Sequence, residues 1–136
     1  MGGSTTFNYL VSLAEIISGI AAVIAIIISI AIYRHGLNRE RKIDTLKKLS
    51  EIRRKYFNSN KLNDKEKLKY INELEYFATG INSKIYDIKI VKSMSGSRLI
   101  RQYEKWIKNF IKSRRKKSGN KSAYCEYEKM IKKIQK

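Results

Sequence analysis

The chain has 136 residues, 30 Lys and Arg against 12 Asp and Glu, and a formal charge of +18 with a pI near 10.1. A single cysteine, Cys125, and a single histidine, His35, exclude an intrachain disulfide, a zinc-ligand set and a thiol dyad within one chain. A charge excess of this size either meets a counter-charge, in anionic lipid, nucleic acid or an acidic protein, or is compositional, a Lys-rich solvated surface.

The first predicted element is a membrane span. Between Val11 and Tyr33 the only charge is Glu15, and the stretch from Ile20 to Ile32 is apolar on every side, unlike a soluble helix that keeps one face polar. About 20 apolar residues suffice to cross a hydrocarbon core of about 30 Å, so residues 10–33 are long enough. A cleaved signal peptide expects a basic start and a small-residue cleavage site; here Met1 to Ala14 holds no Lys or Arg, and Ile32-Tyr33-Arg34-His35 has no such site. All 30 basic residues follow Tyr33. Short basic flanks stay inside, which predicts a single-pass protein of the inner membrane with its N-terminus outside and its C-terminal part in the cytoplasm.

Within the span, Glu15, Ser18, Ala22, Ala25 and Ser29 follow one another at steps of three and four and form a seam on one helix face. Small residues let helices approach closely in lipid, so the seam predicts a homo-oligomer. Glu15 has two readings: it faces a partner helix or an aqueous path, or it lies near enough to the outer interface to reach water unaided. In an oligomer, several copies of Glu15 around one axis would make a cation-attracting mouth.

The rest of the chain is expected to be helical, since it has no proline and no cleanly alternating apolar run. Residues 39–57 carry Ile43, Leu46, Leu49 or Ser50, Ile52 or Arg53, and Tyr56 near heptad spacing, which predicts a juxtamembrane stalk continuing the span. Asn58-Ser59-Asn60 would end it. A second helix opens at Asn63, where Glu66 three residues on makes a capping box, and buries Leu68, Ile71, Leu74, Phe77, Ala78 and Ile81. Gly80 either caps that helix or admits another backbone, and Asn82-Ser83 marks a restart. Ile85, Ile88, Val91 and Met94 suggest a short amphipathic helix, Ser93 to Ser97 a turn, and Leu99, Tyr103, Trp106, Ile107, Phe110 and Ile111 a longer helix capped by Ser97. A basic loop from Ser113 to Asn120 precedes a last helix marked by Tyr124, Tyr127, Ile131 and Ile134. The expected fold is therefore all-α, with a single N-terminal transmembrane helix and a small cytoplasmic bundle of about four to five helices. Its segments are a short outer N-terminus (1–9), the span (10–33), the stalk (34–58) and a basic helical domain (59–136).

The block Asn72-Glu73-Leu74-Glu75-Tyr76-Phe77-Ala78-Thr79-Gly80-Ile81, followed by Ile85-Tyr86-Asp87, resembles a family of uncharacterised bacterial and phage proteins that join one N-terminal membrane helix to a small helical cytoplasmic domain. The likeness spans residues 39–110, and Glu75, Gly80, Tyr86 and Asp87 are the matching positions, read as a helix-helix corner. It implies an all-helical, membrane-anchored protein and carries no catalytic residues. In architecture alone the chain is also similar to pore-forming membrane effectors of phage defence.

No catalytic constellation emerges: Ser95-Gly96-Ser97 is no phosphate loop, His35 sits at the membrane boundary, and Glu73, Glu75 and Asp87 are explained as surface salt bridges to Lys. The expectation is a protein that is not an enzyme and that uses no metal, cofactor or small-molecule substrate. Arg34, Arg39, Arg41 and Lys42 are placed to meet anionic lipid. Lys112, Arg114, Arg115, Lys116 and Lys117, with Lys121 close by, form a second basic patch for a nucleic acid or acidic protein. Tyr103 and Trp106 are either stacking faces for that partner or core residues. Two functions follow as expectations: a homo-oligomeric membrane effector of phage defence that forms a pore gated by its basic domain, or a membrane-anchored adaptor holding nucleic acid, anionic lipid or an acidic protein.

Overall fold

The structure is a computed structural model that describes residues 3–57 and 61–136. The turn expected at Asn58-Ser59-Asn60 lies outside the described residues. Among the described residues the fold is all-helical and contains no strand. The chain divides into two compact units, one up to Arg39 and one from Glu40 to Lys136.

The first unit consists of the opening part of α1, which runs from Gly3 to Lys55. This helix is long and apolar enough to cross a membrane, and none of its most apolar stretch is covered by protein. Ile24 is 51 % exposed and Ile27 60 %, a state that water penalises and lipid does not.

The second unit begins inside the same helix. The segment expected as a stalk supplies one wall of the core. Thr45, Leu49, Ile52 and Tyr56 point inward at steps of four, three and four, whereas Ile43 is exposed and Leu46 half-buried. The buried face is therefore turned from the one that Ile43 and Leu46 suggested. Thr45 fits there because its hydroxyl donates to the Arg41 carbonyl at 2.7 Å, which satisfies a polar group that is 0 % exposed.

The second helix, α2, spans Asp64–Asn82 and opens on the predicted capping box. The Asn63 side chain accepts from Glu66 N–H at 2.9 Å and the Glu66 carboxylate accepts from Asn63 N–H at 3.0 Å. Its inner face is Tyr70, Ile71, Leu74, Phe77, Ala78 and Ile81. Gly80 does not end the helix, which continues to Asn82; it is the landing place of the Tyr86 ring. A Cβ at position 80 would stand 2.5 Å from Cδ2 of Tyr86.

After the link 83–87, α3 runs Ile88–Gln102, a π-helical turn occupies Tyr103–Ile107, and α4 runs Lys108–Ser118. Two expectations are corrected here. Ser93 to Ser97 is the interior of α3 and not a turn, because Ser95 and Gly96 are buried where small residues admit Ile134, whose Cγ2 would lie 3.1 Å from a Cβ at position 96. Ser97 accordingly caps nothing. The π turn inserts one residue, so the buried stripe Val91, Ser95, Leu99, Gln102 resumes at Ile107 and Ile111. Gly119, at φ 69°, ends α4 in the left-handed conformation that glycine adopts without strain, and its N–H donates to the Arg115 carbonyl at 3.0 Å. The last helix, α5, covers Cys125–Gln135 and packs chiefly on α2 and next on α3, delivering Tyr127, Met130, Ile131 and Ile134 to the core.

Candidate functional site

On α1, Glu15, Ser18, Ala22, Ala25 and Ser29 are all exposed, and their spacing puts them on one side of a regular helix. Ser29 donates to the Ala25 carbonyl at 2.8 Å, so its hydroxyl is satisfied without a second chain. Glu15 has no hydrogen-bond or ion-pair partner among the described residues. Arg34 and Arg39 are exposed near the end of the first unit; in the second unit Lys42 is exposed and Arg41 half-buried.

The distal basic patch is not a loop. Ser113 to Ser118 form the closing turns of α4, where cations are favoured by the helix dipole. Arg115 is committed internally: its guanidinium donates to the Ala123 carbonyl at 2.9 Å and to the Glu128 carboxylate at 2.7 Å, tying α4 to the turn before α5. Lys112, Arg114, Lys116, Lys117 and Lys121 make no ion pair among the described residues, and all but the half-buried Arg114 are exposed. Tyr103 and Trp106 are only partly exposed. The Tyr103 hydroxyl donates to Glu128 at 3.3 Å and its ring meets Tyr127 edge-on at 6.1 Å; burial, then Glu128, raises its pKa. Trp106 lies between Tyr70, at 6.3 Å, and Phe110, at 6.1 Å, with the Lys67 ammonium 5.8 Å from its ring centre. Both rings are packed among core neighbours.

The four residues of the expected helix corner each make a specific contact. The Glu75 carboxylate accepts from the Tyr127 N–H at 2.7 Å and from the Glu126 N–H at 3.2 Å, placing a negative charge on the first turn of α5. Asp87 caps α3 by accepting from Lys89 N–H at 2.8 Å, and its own N–H donates to Thr45 Oγ1 at 2.8 Å. Gly80 and Tyr86 are in van der Waals contact, and the Tyr86 ring continues onto Phe77 at 5.1 Å. The expectation of surface salt bridges to Lys therefore applies to Glu73 alone, which receives Lys55 and, at 3.1 Å, the Tyr56 hydroxyl. Glu75 and Asp87 instead serve backbone amides.

Sequence reasoning missed Asn82 and Glu126. The Asn82 amide donates to the Glu126 carbonyl at 3.0 Å and to its carboxylate at 2.8 Å, while Lys133 donates back to Asn82 at 2.7 Å. Ion pairing with Lys129 and the Asn82 hydrogen bond hold the Glu126 carboxyl below its usual pKa. No local pattern announces such a contact, since its partners are 44 residues apart.

A crevice between α1, α2 and α3 is lined by Leu49, Ile52, Arg53, Tyr56, Tyr70, Leu74, Ser95, Arg98, Leu99 and Gln102. Its free volume of about 20 Å³ is room for a water, far below the roughly 300 Å³ at which small-molecule pockets begin. Tyr70 donates to Gln102 at 2.8 Å on its inner wall, and burial pushes the Tyr70 pKa up to about 12. Among the described residues no group of three or more His, Cys, Asp or Glu is gathered in a way that holds a metal ion.

No curated protein matches the chain, and no solved structure matches it. A family match does cover nearly its whole length, from the interior of the apolar helix to the last helix. Through residues 12–134 the chain belongs to the family described as Domain of unknown function (DUF4760).

Proposed function

We infer that this is a single-pass inner-membrane protein that self-associates along Glu15, Ser18, Ala22, Ala25 and Ser29 and carries its basic helical unit on the cytoplasmic side. The observation that supports this reading is the bare apolar length of α1, whose small-residue seam is exposed along one face. In lipid, a seam of small residues lets a second helix approach closely and gain packing contact along it. The pore-forming form of the proposal places Glu15 at the mouth of the assembly, where a ring of carboxylates selects cations. Crosslinking in native membranes tests the association: discrete ladders are expected, and they should collapse when Ser18 and Ala22 are both changed to Leu. Ladders that survive both substitutions overturn the seam. For the pore, Glu15→Gln is expected to reduce cation leakage from proteoliposomes, and unchanged leakage removes Glu15 from the mechanism.

A second reading, an anchored adaptor, is favoured by one observation: Lys112, Arg114, Lys116 and Lys117 stand without ion-pair partners at the end of α4. Neutralising all four should abolish any salt-sensitive retention of nucleic acid by the reconstituted protein, whereas Arg115→Gln should instead loosen the fold.

A further inference from the structure

The outer side of α4 is chemically uniform. From Lys105 to Cys125 the chain holds no Asp or Glu. Every exposed residue between Asn109 and Ser122 is Lys, Ser, Asn or Gly, with no apolar side chain among them. Lys112, Lys116 and Lys117 stand on the side of α4 turned away from the buried Ile107 and Ile111, and Lys121 follows in the turn before α5. The flanking carboxylates that could neutralise them are engaged elsewhere, Glu104 with Lys108 at 3.7 Å and Glu128 with Arg115 at 2.7 Å.

The support for these cations is fixed in advance. Arg115 ties α4 to the Ala123 carbonyl, and the Gly119 N–H returns to the Arg115 carbonyl at 3.0 Å. In the turn, Asn120 Oδ1 accepts from the Ser122 N–H at 3.1 Å and from the Ser122 hydroxyl at 2.8 Å. A partner therefore meets an ordered frame, and binding restricts little beyond the lysine stems themselves.

The composition of the face discriminates among polyanions. Protein partners bind through a desolvated centre of aromatic and apolar side chains, and an amphipathic lipid contact needs an apolar side to insert; this face supplies neither. Single strands are held by bases stacked on open aromatic rings. The nearby rings are occupied: Trp106 and Phe110 pack edge-on at 6.1 Å, and the half-buried Tyr124 donates to Asn72 at 3.1 Å. Base edges are read mostly by bidentate Arg, Asn or Gln. Here Arg115 is committed to Glu128, Arg114 is half-buried, and Asn120 holds its own turn. What the face offers is ammonium groups with Ser and Asn donors between them, which hold phosphates irrespective of sequence.

We propose that Lys112, Lys116, Lys117 and Lys121 hold the phosphate backbone of a double-helical nucleic acid without reading its sequence. This rests on the anchored-adaptor reading and names its partner, and the test separates the two. Fluorescence anisotropy on the full chain in nanodiscs of phosphatidylcholine compares DNA and RNA duplexes of unrelated sequence, an oligothymidylate single strand, and polyglutamate of equal charge. Duplexes of different sequence should bind within about two-fold of one another and about ten-fold tighter than the single strand or polyglutamate. The tighter of the DNA and RNA duplexes names the source. Log affinity should fall against log salt with a slope of about −3 to −4, as for four phosphates at about 0.9 each. Changing the four lysines to Gln should weaken duplex binding by about ten-fold or more, whereas the same change at Lys65, Lys69, Lys89 and Lys92, exposed on α2 and α3, should weaken it less than about three-fold. Equal losses from the two sets mean that net charge and not this face binds, and overturn the proposal. A single strand or polyglutamate that binds the unaltered chain as tightly as a duplex also overturns it, and leaves an adaptor with a different partner. No binding of any of these anions removes the proposal and the adaptor reading together.

Discussion

The two units of this chain treat their apolar side chains in opposite ways on the same secondary structure, bare in one and buried in the other. In residues 3–39 the large apolar side chains are exposed, from Phe7 at 66 % to Tyr33 at 67 %. In residues 40–136 most of the apolar side chains recur at helical spacing and turn inward, with Ile71, Phe77, Val91, Ile107, Ile111 and Met130 all at 0 %, while a few such as Phe57, Tyr76 and Ile85 stay exposed. Helical propensity alone does not distinguish these cases. What separates them is whether the polar residues line the opposite face or are missing altogether, and so where each helix finds an apolar phase.

The sharpest way to break this contrast is to make the first unit resemble the second. Changing Ile24 and Ile27 together to Lys adds about 2.5–3.5 kcal/mol per residue at the centre of a span. Carbonate-resistant membrane retention should be lost while the thermal unfolding of the second unit is unchanged; retention would mean that lipid is not the solvent of α1. The reciprocal change is Phe77→Ala, which should cost the second unit about 3–5 kcal/mol in denaturant unfolding and leave retention intact.

A pH titration sharpens the comparison, because buried ionisable groups belong to the second unit. Tyr70 is lifted by burial from an ordinary 10.0 to about 12, so between those values the unfolded chain has released a proton that the folded chain still holds. Stability is full below pH 10 and falls as pH rises toward 12, by about 2–3 kcal/mol for this group. Tyr127, pushed up chiefly by burial and with its hydroxyl unpartnered among the described residues, acts in the same direction. Thermal melts across that window should show the loss, and Tyr70→Phe should flatten it. Gly80→Ala is smaller: the Tyr86 ring must move off a packed position, at about 1–3 kcal/mol. Shaving the ring with Tyr86→Ala in the same chain should recover part of that loss.

Local signals in the sequence were readable where the physics is local. The capping box at Asn63 and Glu66 and the apolar spacing of α2 and α5 needed no knowledge of neighbours. The misreadings arose where one residue set has two uses. Ser93 to Ser97 looks like a turn by composition, yet small residues are also what a helix needs where Ile134 presses against it, and only the fold says which applies. The run from Ser113 to Asn120 reads as a basic loop, yet Arg115 pairs with Glu128 across the fold and Gly119 supplies the helix stop, so the run up to Ser118 stays helical. Glu75 was invisible as an anchor, since its partners Glu126 and Tyr127 are 51 and 52 residues away. For the same reason the π turn at 103–107 left no mark: it corrects a register that only the assembled core defines.

The dependence of the core on α5 orders events during synthesis. Tyr127, Met130, Ile131 and Ile134 close the apolar interior of α2 and α3, so that interior stays open until they have left the ribosome. The apolar opening of α1 emerges long before, while everything downstream is still unfolded. A ribosome stalled short of Tyr127 would hold a bare apolar helix joined to a sticky, unfinished globule, the kind of nascent chain that aggregates unless chaperones hold it.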